Sequence, residues 1–365
     1  MDPDEKSKET EVQGSATPVL KEKGAAREQP SAPEESFGQL WQRASEHLQA
    51  RRWLQAGETF STLLAYREKD EEVLLGLARA LDRIDRYESL YETAQHILEY
   101  NSSSAQGLAF KARALQKLER LSEAMIANDQ ALLLDTHLPL AWVNRSGLQL
   151  LQQKFPEALR SAQRATELAP DDERAWANRG VALLNFGHLV EAITMFDQAL
   201  AIDPDHLFSL QMKCEILCKL GRMRDAVPVV QHALRIDPHN VVVLTQGVQA
   251  LRALEQYEDM QTLAKELTTL TPDSLFAWEN YMRGLRGIGQ YEEALSALEH
   301  VMELDGSNVR FWTMKADMLY RLERYREAAR VAERAVRLEL DYPPARRIRE
   351  KAVRMMYQKK DKKKP

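Results

Sequence analysis

Cysteine is scarce. Only Cys214 and Cys218 occur in 365 residues, so no disulfide framework is expected and a reducing compartment is the simpler setting. No apolar run approaches the roughly 18 residues that a membrane span needs. The opening MDPDEKSKET is charged and lacks the apolar centre of a signal peptide. Together these absences lead us to expect a soluble, cytoplasmic (or nuclear) protein. The net charge of −5 is too mild to name a partner. Catalytic signatures are missing as well: there is no Gly-rich phosphate loop, no GxSxG elbow and no HExxH pair. The carboxylates are spread evenly, as solvated helix surfaces require. Cys214 and Cys218 share one helix face, but His188, His206, His232 and His239 offer no ligand spacing beside them. The expectation is no enzyme, no cofactor and no metal.

What the chain does have is repetition. The stretch Arg174–Pro204 reads RAWANRGVALLNFGHLVEAITMFDQALAIDP. Units in phase with it begin at Phe37, Glu71, Ala105, Pro139, Glu173, Leu207, Val241, Leu275 and Val309. Each later start falls 34 residues after the one before. The fourth column is Leu40, Leu74, Leu108, Trp142, Trp176, Leu210, Leu244, Trp278 and Trp312. The eighth and twentieth columns are mostly small, with Ala44, Ser146 and Gly180 in one and Ala56, Ala158 and Ala192 in the other.

These columns imply two helices per unit. Columns four, eight and eleven share one face of the first helix. Small residues at eight and twenty let the pair cross closely, and large apolar residues fill the space between units. Gly187, Gly221 and Gly289 stand where a first helix ends, a place that favours positive φ. Pro170, Pro204, Pro238 and Pro272 close second helices, which proline cannot continue. Pro139 and Pro156 fall at helix starts, where proline is tolerated, whereas Pro228 lies deeper and should bend its helix. Units four to six are the most regular, and the ends should fray first.

The flanks differ. Residues 1–36 are punctured by Pro3, Gly14, Pro18, Gly24, Pro30 and Pro33 and show no apolar period, so they read as a disordered leader. Residues 343–357 read as a polar capping helix over the last repeat. Residues 358–365 read as a basic disordered tail. From Pro343 onward there are ten bases and two acids.

The pattern of Trp176, Gly180, Leu183, Gly187, Ala192, Phe196, Ala199 and Pro204 resembles the tetratricopeptide repeat, departing from it at Arg179. The resemblance covers Phe37 to about Tyr357. It implies an all-α, right-handed superhelical solenoid of nine repeats. Its first helices form the concave wall, and Trp176 is buried. It also implies a non-enzymatic scaffold or adaptor that holds an extended peptide of a partner protein in the groove. Column six carries Asn144, Asn178 and Asn280, with Gln246 as a substitute. This is similar to the asparagine ladder of O-linked N-acetylglucosamine transferases and to the groove of kinesin light chains, and it implies a clamp on a peptide backbone. Phe208, Met212, Val242 and Phe276 form an apolar middle. Arg79, Arg83, Arg113 and Lys117 form one basic strip, and Arg252, Arg283 and Arg286 a second. An acidic peptide with bulky apolar anchors would complement that wall. The family's carboxylate clamp does not match, because Ala109 and Arg113 stand where Lys and Asn are needed beside Asn144.

Two other readings compete. One is a regulatory or substrate-recruiting subunit of a separately encoded enzyme. The other is nucleic-acid association through the basic tail, against which stands the net acidity of the repeats. Oligomeric state is open at this level.

Overall fold

A computed structural model describes residues 36–361. The leader, expected to be disordered, lies outside the described residues except for Ser36. The described residues form helices and no strand. Nine first helices follow one another as α1 (Phe37–Gln49), α3 (Glu71–Arg83), α5 (Ala105–Lys117), α7 (Pro139–Leu151), α9 (Glu173–Asn185), α11 (Leu207–Lys219), α13 (Val241–Ala253), α15 (Leu275–Gly287) and α17 (Val309–Arg321). Each starts at the first residue of its 34-residue unit. Second helices alternate with them as α2 (Trp53–Tyr66), α4 (Tyr87–Tyr100), α6 (Leu121–Leu134), α8 (Phe155–Leu168), α10 (Leu189–Ile202), α12 (Met223–Ile236), α14 (Tyr257–Leu270), α16 (Tyr291–Leu304) and α18 (Tyr325–Leu338). The last helix, α19 (Pro343–Asp361), packs on α18 and α17. It runs four residues past the expected capping helix, so the start of the expected tail is helical.

Local chemistry sets these boundaries. Most first helices begin at a side chain that accepts a backbone N–H: Ser36, Asp70, Ser104, Asp172, Asn240, Ser274 and Asn308. Second helices begin at residues that make no such bond, among them Arg52, Arg120 and Lys154. Between the helices of every unit, one residue is left-handed. Gly187, Gly221 and Gly289 adopt φ of 77°, 72° and 84°. Non-glycine residues do the same in the remaining units, at Arg51, Asp85, Glu119, Gln153, Glu255 and Glu323. A side chain in that region is disfavoured, so the turn is imposed by packing on both sides.

The packing is close where the sequence is small. Ala44, Ala78, Ala112, Ser146 and Ala316 of column eight are fully buried, as are Ala56, Ala124, Ala158, Ala192 and Ala226 of column twenty. Gly180 is needed for space: a Cβ there would sit 2.9 Å from the ring of Phe196. Trp176 is only half-buried, because its indole lies along the loop and donates to the Pro170 carbonyl at 2.9 Å. Trp142, Trp278 and Trp312 repeat this bond six residues back. Asn128 is the odd member of its column. It is fully buried where other units place Phe60, Phe196, Val230, Leu298 or Ala, and neither of its polar atoms has a partner.

Successive first helices from α3 to α15 touch one another, while no comparable contact joins successive second helices. The first helices are therefore the inner layer of an all-α solenoid, and their outward columns line the concave wall.

Candidate functional site

The column-six amides were expected to face a ligand, but the structure turns most of them inward. Asn144 is 1 % exposed, and its Nδ2 donates to the Ala109 carbonyl at 2.8 Å. Asn178 makes the equivalent bond to the Val143 carbonyl at 3.1 Å and a second to Ser146 Oγ at 2.8 Å. These bonds tie α5 to α7 and α7 to α9. Asn280 is 1 % exposed; its Nδ2 donates to Phe276 O, and its Oδ1 accepts from Arg252. Gln246 is 8 % exposed. With Asn144 and Asn280 1 % exposed, their amides meet the scaffold first: each spends one N–H on a carbonyl of the first-helix layer. Asn178 alone among the three also lines an open cavity.

The basic strips change character too. Arg113 Nε donates to Asp82 Oδ1 at 2.9 Å. Arg283 is held by Glu279 at 2.7 Å, one turn earlier on α15. Arg83 pairs with Glu173 and lies over the ring of Trp53. Arg83, Arg113 and Arg283 are thus paired within the wall, which weakens the electrostatic argument for an acidic peptide at these three positions.

The pairing partners are far apart in sequence. Arg174 donates to Asp82 Oδ2 at 2.5 Å and to Asp172 Oδ2 at 2.9 Å. Asp82 and Arg83 end α3, whereas Asp172, Glu173 and Arg174 open α9, three repeats onward. The curvature of the inner layer brings these two helix ends together, and the charges form a brace across the concave wall. Burial alone would raise the Asp82 carboxyl, but Arg174 and Arg113 outweigh it and hold the pKa below its ordinary value. Asp172 behaves alike: burial is overcome chiefly by Arg174, and its pKa is well depressed. Asp82 and Asp172 are thus held ionised at neutral pH beside Arg174.

It also divides the groove. On one side lies a cavity of about 660 Å³, on the other a cavity of about 630 Å³. Trp53, Asp82, Arg83 and Arg174 are their common wall. Beyond the larger cavity, α11, α13 and α15 bring Phe208, Val242 and Phe276 to the same column of successive units. Phe208 is 43 % and Val242 53 % exposed. Phe276 is half-buried beneath Arg252, and Met212 packs partly into the core beneath. Charges at columns one, two and twelve were a partial trace of the brace: units six and seven put Leu207, Phe208, Val241 and Val242 in the first two, but unit two has Glu71 and Glu72 there and unit nine has Arg310. Which of them meet depends on the superhelical pitch, which no sequence column records.

Cys214 is buried, and Cys218 points its thiol toward the Gln246 carbonyl at 3.9 Å. Among the described residues no group of His, Cys, Asp and Glu could hold a metal ion. No helix among them is long and apolar enough to cross a membrane.

A family model of the tetratricopeptide repeat matches residues 148–206 and 283–343, which span α7 to α10 and α15 to α18. The matched segments and the repeated helix pairs fit a tetratricopeptide repeat protein. Proteins of this type generally mediate protein–protein interactions, and no catalytic family is indicated. A solved structure of Pseudomonas aeruginosa pilF shares the fold at 20 % identity and a TM-score of 0.50, covering 57 % of this chain and 95 % of that one. A chain of the APC/C hetero-tetramer Cut9–Hcn1 is 14 % identical with a TM-score of 0.47, covering 82 % of this chain and 59 % of that one. YrrB, described as a TPR protein with an unusual peptide-binding site, is 22 % identical over 52 % of this chain and 97 % of its own, with a TM-score of 0.35. No curated protein matches the sequence.

Proposed function

We propose that this tetratricopeptide solenoid is a non-enzymatic scaffold that binds an extended segment of a partner protein along its concave wall. The observation that carries the reading is the apolar strip. Phe208 and Val242 occupy one column of successive first helices and remain 43 % and 53 % exposed, with Phe276 continuing the line. Aligned apolar side chains left open on an inner wall suit alternate side chains of an extended segment. Phe208, Phe276 and the rim of Met212 supply the anchor contacts in this reading. Asn144, Asn280 and Gln246 shape the wall from behind. Asn178 remains the amide placed to meet a peptide group. Arg113 and Arg283 hold the wall rather than the ligand.

The test compares partners recovered from the native host by wild type and by Phe208→Ser/Val242→Ser. Both chains are first checked for equal helicity by circular dichroism. Partners lost only from the variant support the groove. Identical partner sets would move the working surface to the convex face or to the basic α19.

A further inference from the structure

The larger cavity holds two buried acceptors that have no donor. Glu173 is 1 % exposed; its Oε1 takes Arg83, and its Oε2 has no hydrogen-bond partner. Gln116 Oε1 is buried and equally unpaired. Both residues line the larger cavity, and neither lines the smaller one. A buried carboxylate oxygen without a donor is costly and calls for an explanation; unlike buried Asn128, Glu173 and Gln116 line an open cavity.

Asp82 shows what complete pairing looks like in this same wall. Arg113 takes one oxygen at 2.9 Å, and Arg174 takes the other at 2.5 Å. Glu173 has the first kind of contact and lacks the second. Around it, Trp53, Leu150, Leu151 and Phe208 line the cavity with apolar surface that suits an alkyl stem. A volume of about 660 Å³ admits a long side chain together with the backbone that bears it. Lys117 opposes a further cation there; its ammonium lies over the Tyr87 ring, 5.5 Å from the centroid. Asp85 and Asp203 line the same cavity and offset that charge. Phe208 belongs both to this cavity and to the apolar strip, so the two surfaces are continuous.

We propose that the cavity beside the brace takes an arginine side chain of the partner segment, its guanidinium donating to Glu173 Oε2 and Gln116 Oε1 while neighbouring apolar residues run over Phe208, Val242 and Phe276. The proposal rests on the groove being a peptide-binding surface. A planar guanidinium has five donors and can serve both acceptors at once. It would complete on Glu173 the two-arginine pattern already built on Asp82. The ligand would then carry a basic residue next to apolar ones, the reverse of the acidic segment that the sequence implied.

The test titrates the full chain with pools of 12-residue fluorescent peptides, read by anisotropy. Each pool is fixed to Arg, Lys, Glu or norleucine at one position and is random elsewhere. The expected result is an arginine-fixed pool bound about tenfold tighter than the glutamate and norleucine pools. Glu173→Gln and Gln116→Leu should each erase that preference. Gln116→Leu leaves every charge of the brace in place, so it serves if Glu173→Gln fails to fold. Phe208→Ser should weaken all pools alike. An arginine preference that survives both variants overturns the assignment, as does binding that ignores the fixed residue. A glutamate preference overturns it too, and would mean that partner carboxylates displace Glu173 from Arg83. Binding that responds to Phe208→Ser but not to the fixed residue sinks this assignment and leaves the groove reading standing. No binding by any pool overturns both.

Discussion

The two halves of the concave wall solve the same problem differently. From α3 to α9 the wall is polar and braced: Arg83–Glu173 and Arg174–Asp82 join repeats that are not neighbours, with Arg113 and Asp172 completing the network. From α11 to α15 it is apolar and open, and its charges pair locally, as Arg283 does with Glu279 one turn away. The turns differ in parallel. The first four units place Arg51, Asp85, Glu119 and Gln153 in the left-handed region, while Gly187, Gly221 and Gly289 relieve three of the later turns. A solenoid stabilised only by nearest-neighbour stacking has no long-range contact to lose. This one does, in its N-terminal half.

The contrast can be broken with single substitutions. Arg174→Ala should have the largest effect, a loss of about 3–5 kcal/mol in urea unfolding, because it takes one of the two arginines from buried Asp82 and the arginine partner from the largely buried Asp172. The matching change in the open half, Arg283→Ala, should cost under about 1 kcal/mol, since its one-turn pair is partly solvated. Acid should discriminate in the same direction. Asp82 and Asp172 have depressed pKa values in the folded state. Their contribution is therefore present above the unfolded carboxylate value of about 4 and is lost as pH falls from there through the folded values. Melting temperature should drop through that window in wild type, and less steeply in Asp82→Asn. A smaller effect is expected at the turns: Glu119→Gly should stabilise by about 1 kcal/mol, while Gly221→Ala should destabilise by a similar amount. The smallest is expected at Val242→Ser, which should change stability by less than about 0.5 kcal/mol while weakening partner capture.

Much of this fold was legible because helix periodicity and helix pairing are local. Small residues at columns eight and twenty, Gly187, Gly221 and Gly289 with positive φ, and prolines just past α8, α10, α12 and α14 all act within one unit or between adjacent ones. The site was less legible for a matching reason. Whether Arg83 and Arg113 are free depends on Glu173 and Asp82, and the first of those pairs spans 90 residues. Column six carried a true signal whose direction the sequence left open. An inward column can face a ligand or the preceding helix, and Asn144 faces the Ala109 carbonyl. Trp176 misled in degree, because a large ring can satisfy its repeat position while lying half-exposed along a loop.

The measurement that bears most directly on the brace is hydrogen exchange, read by mass spectrometry on wild type and Arg174→Ala. If repeats two and five are coupled through this network, amides of α3 and α9 should exchange together about a hundredfold faster in the variant. Those of α13 and α15 should be unchanged. Acceleration confined to α9 and its neighbours, with α3 as protected as before, would mean that the solenoid is held by stacking alone and that no brace spans the wall.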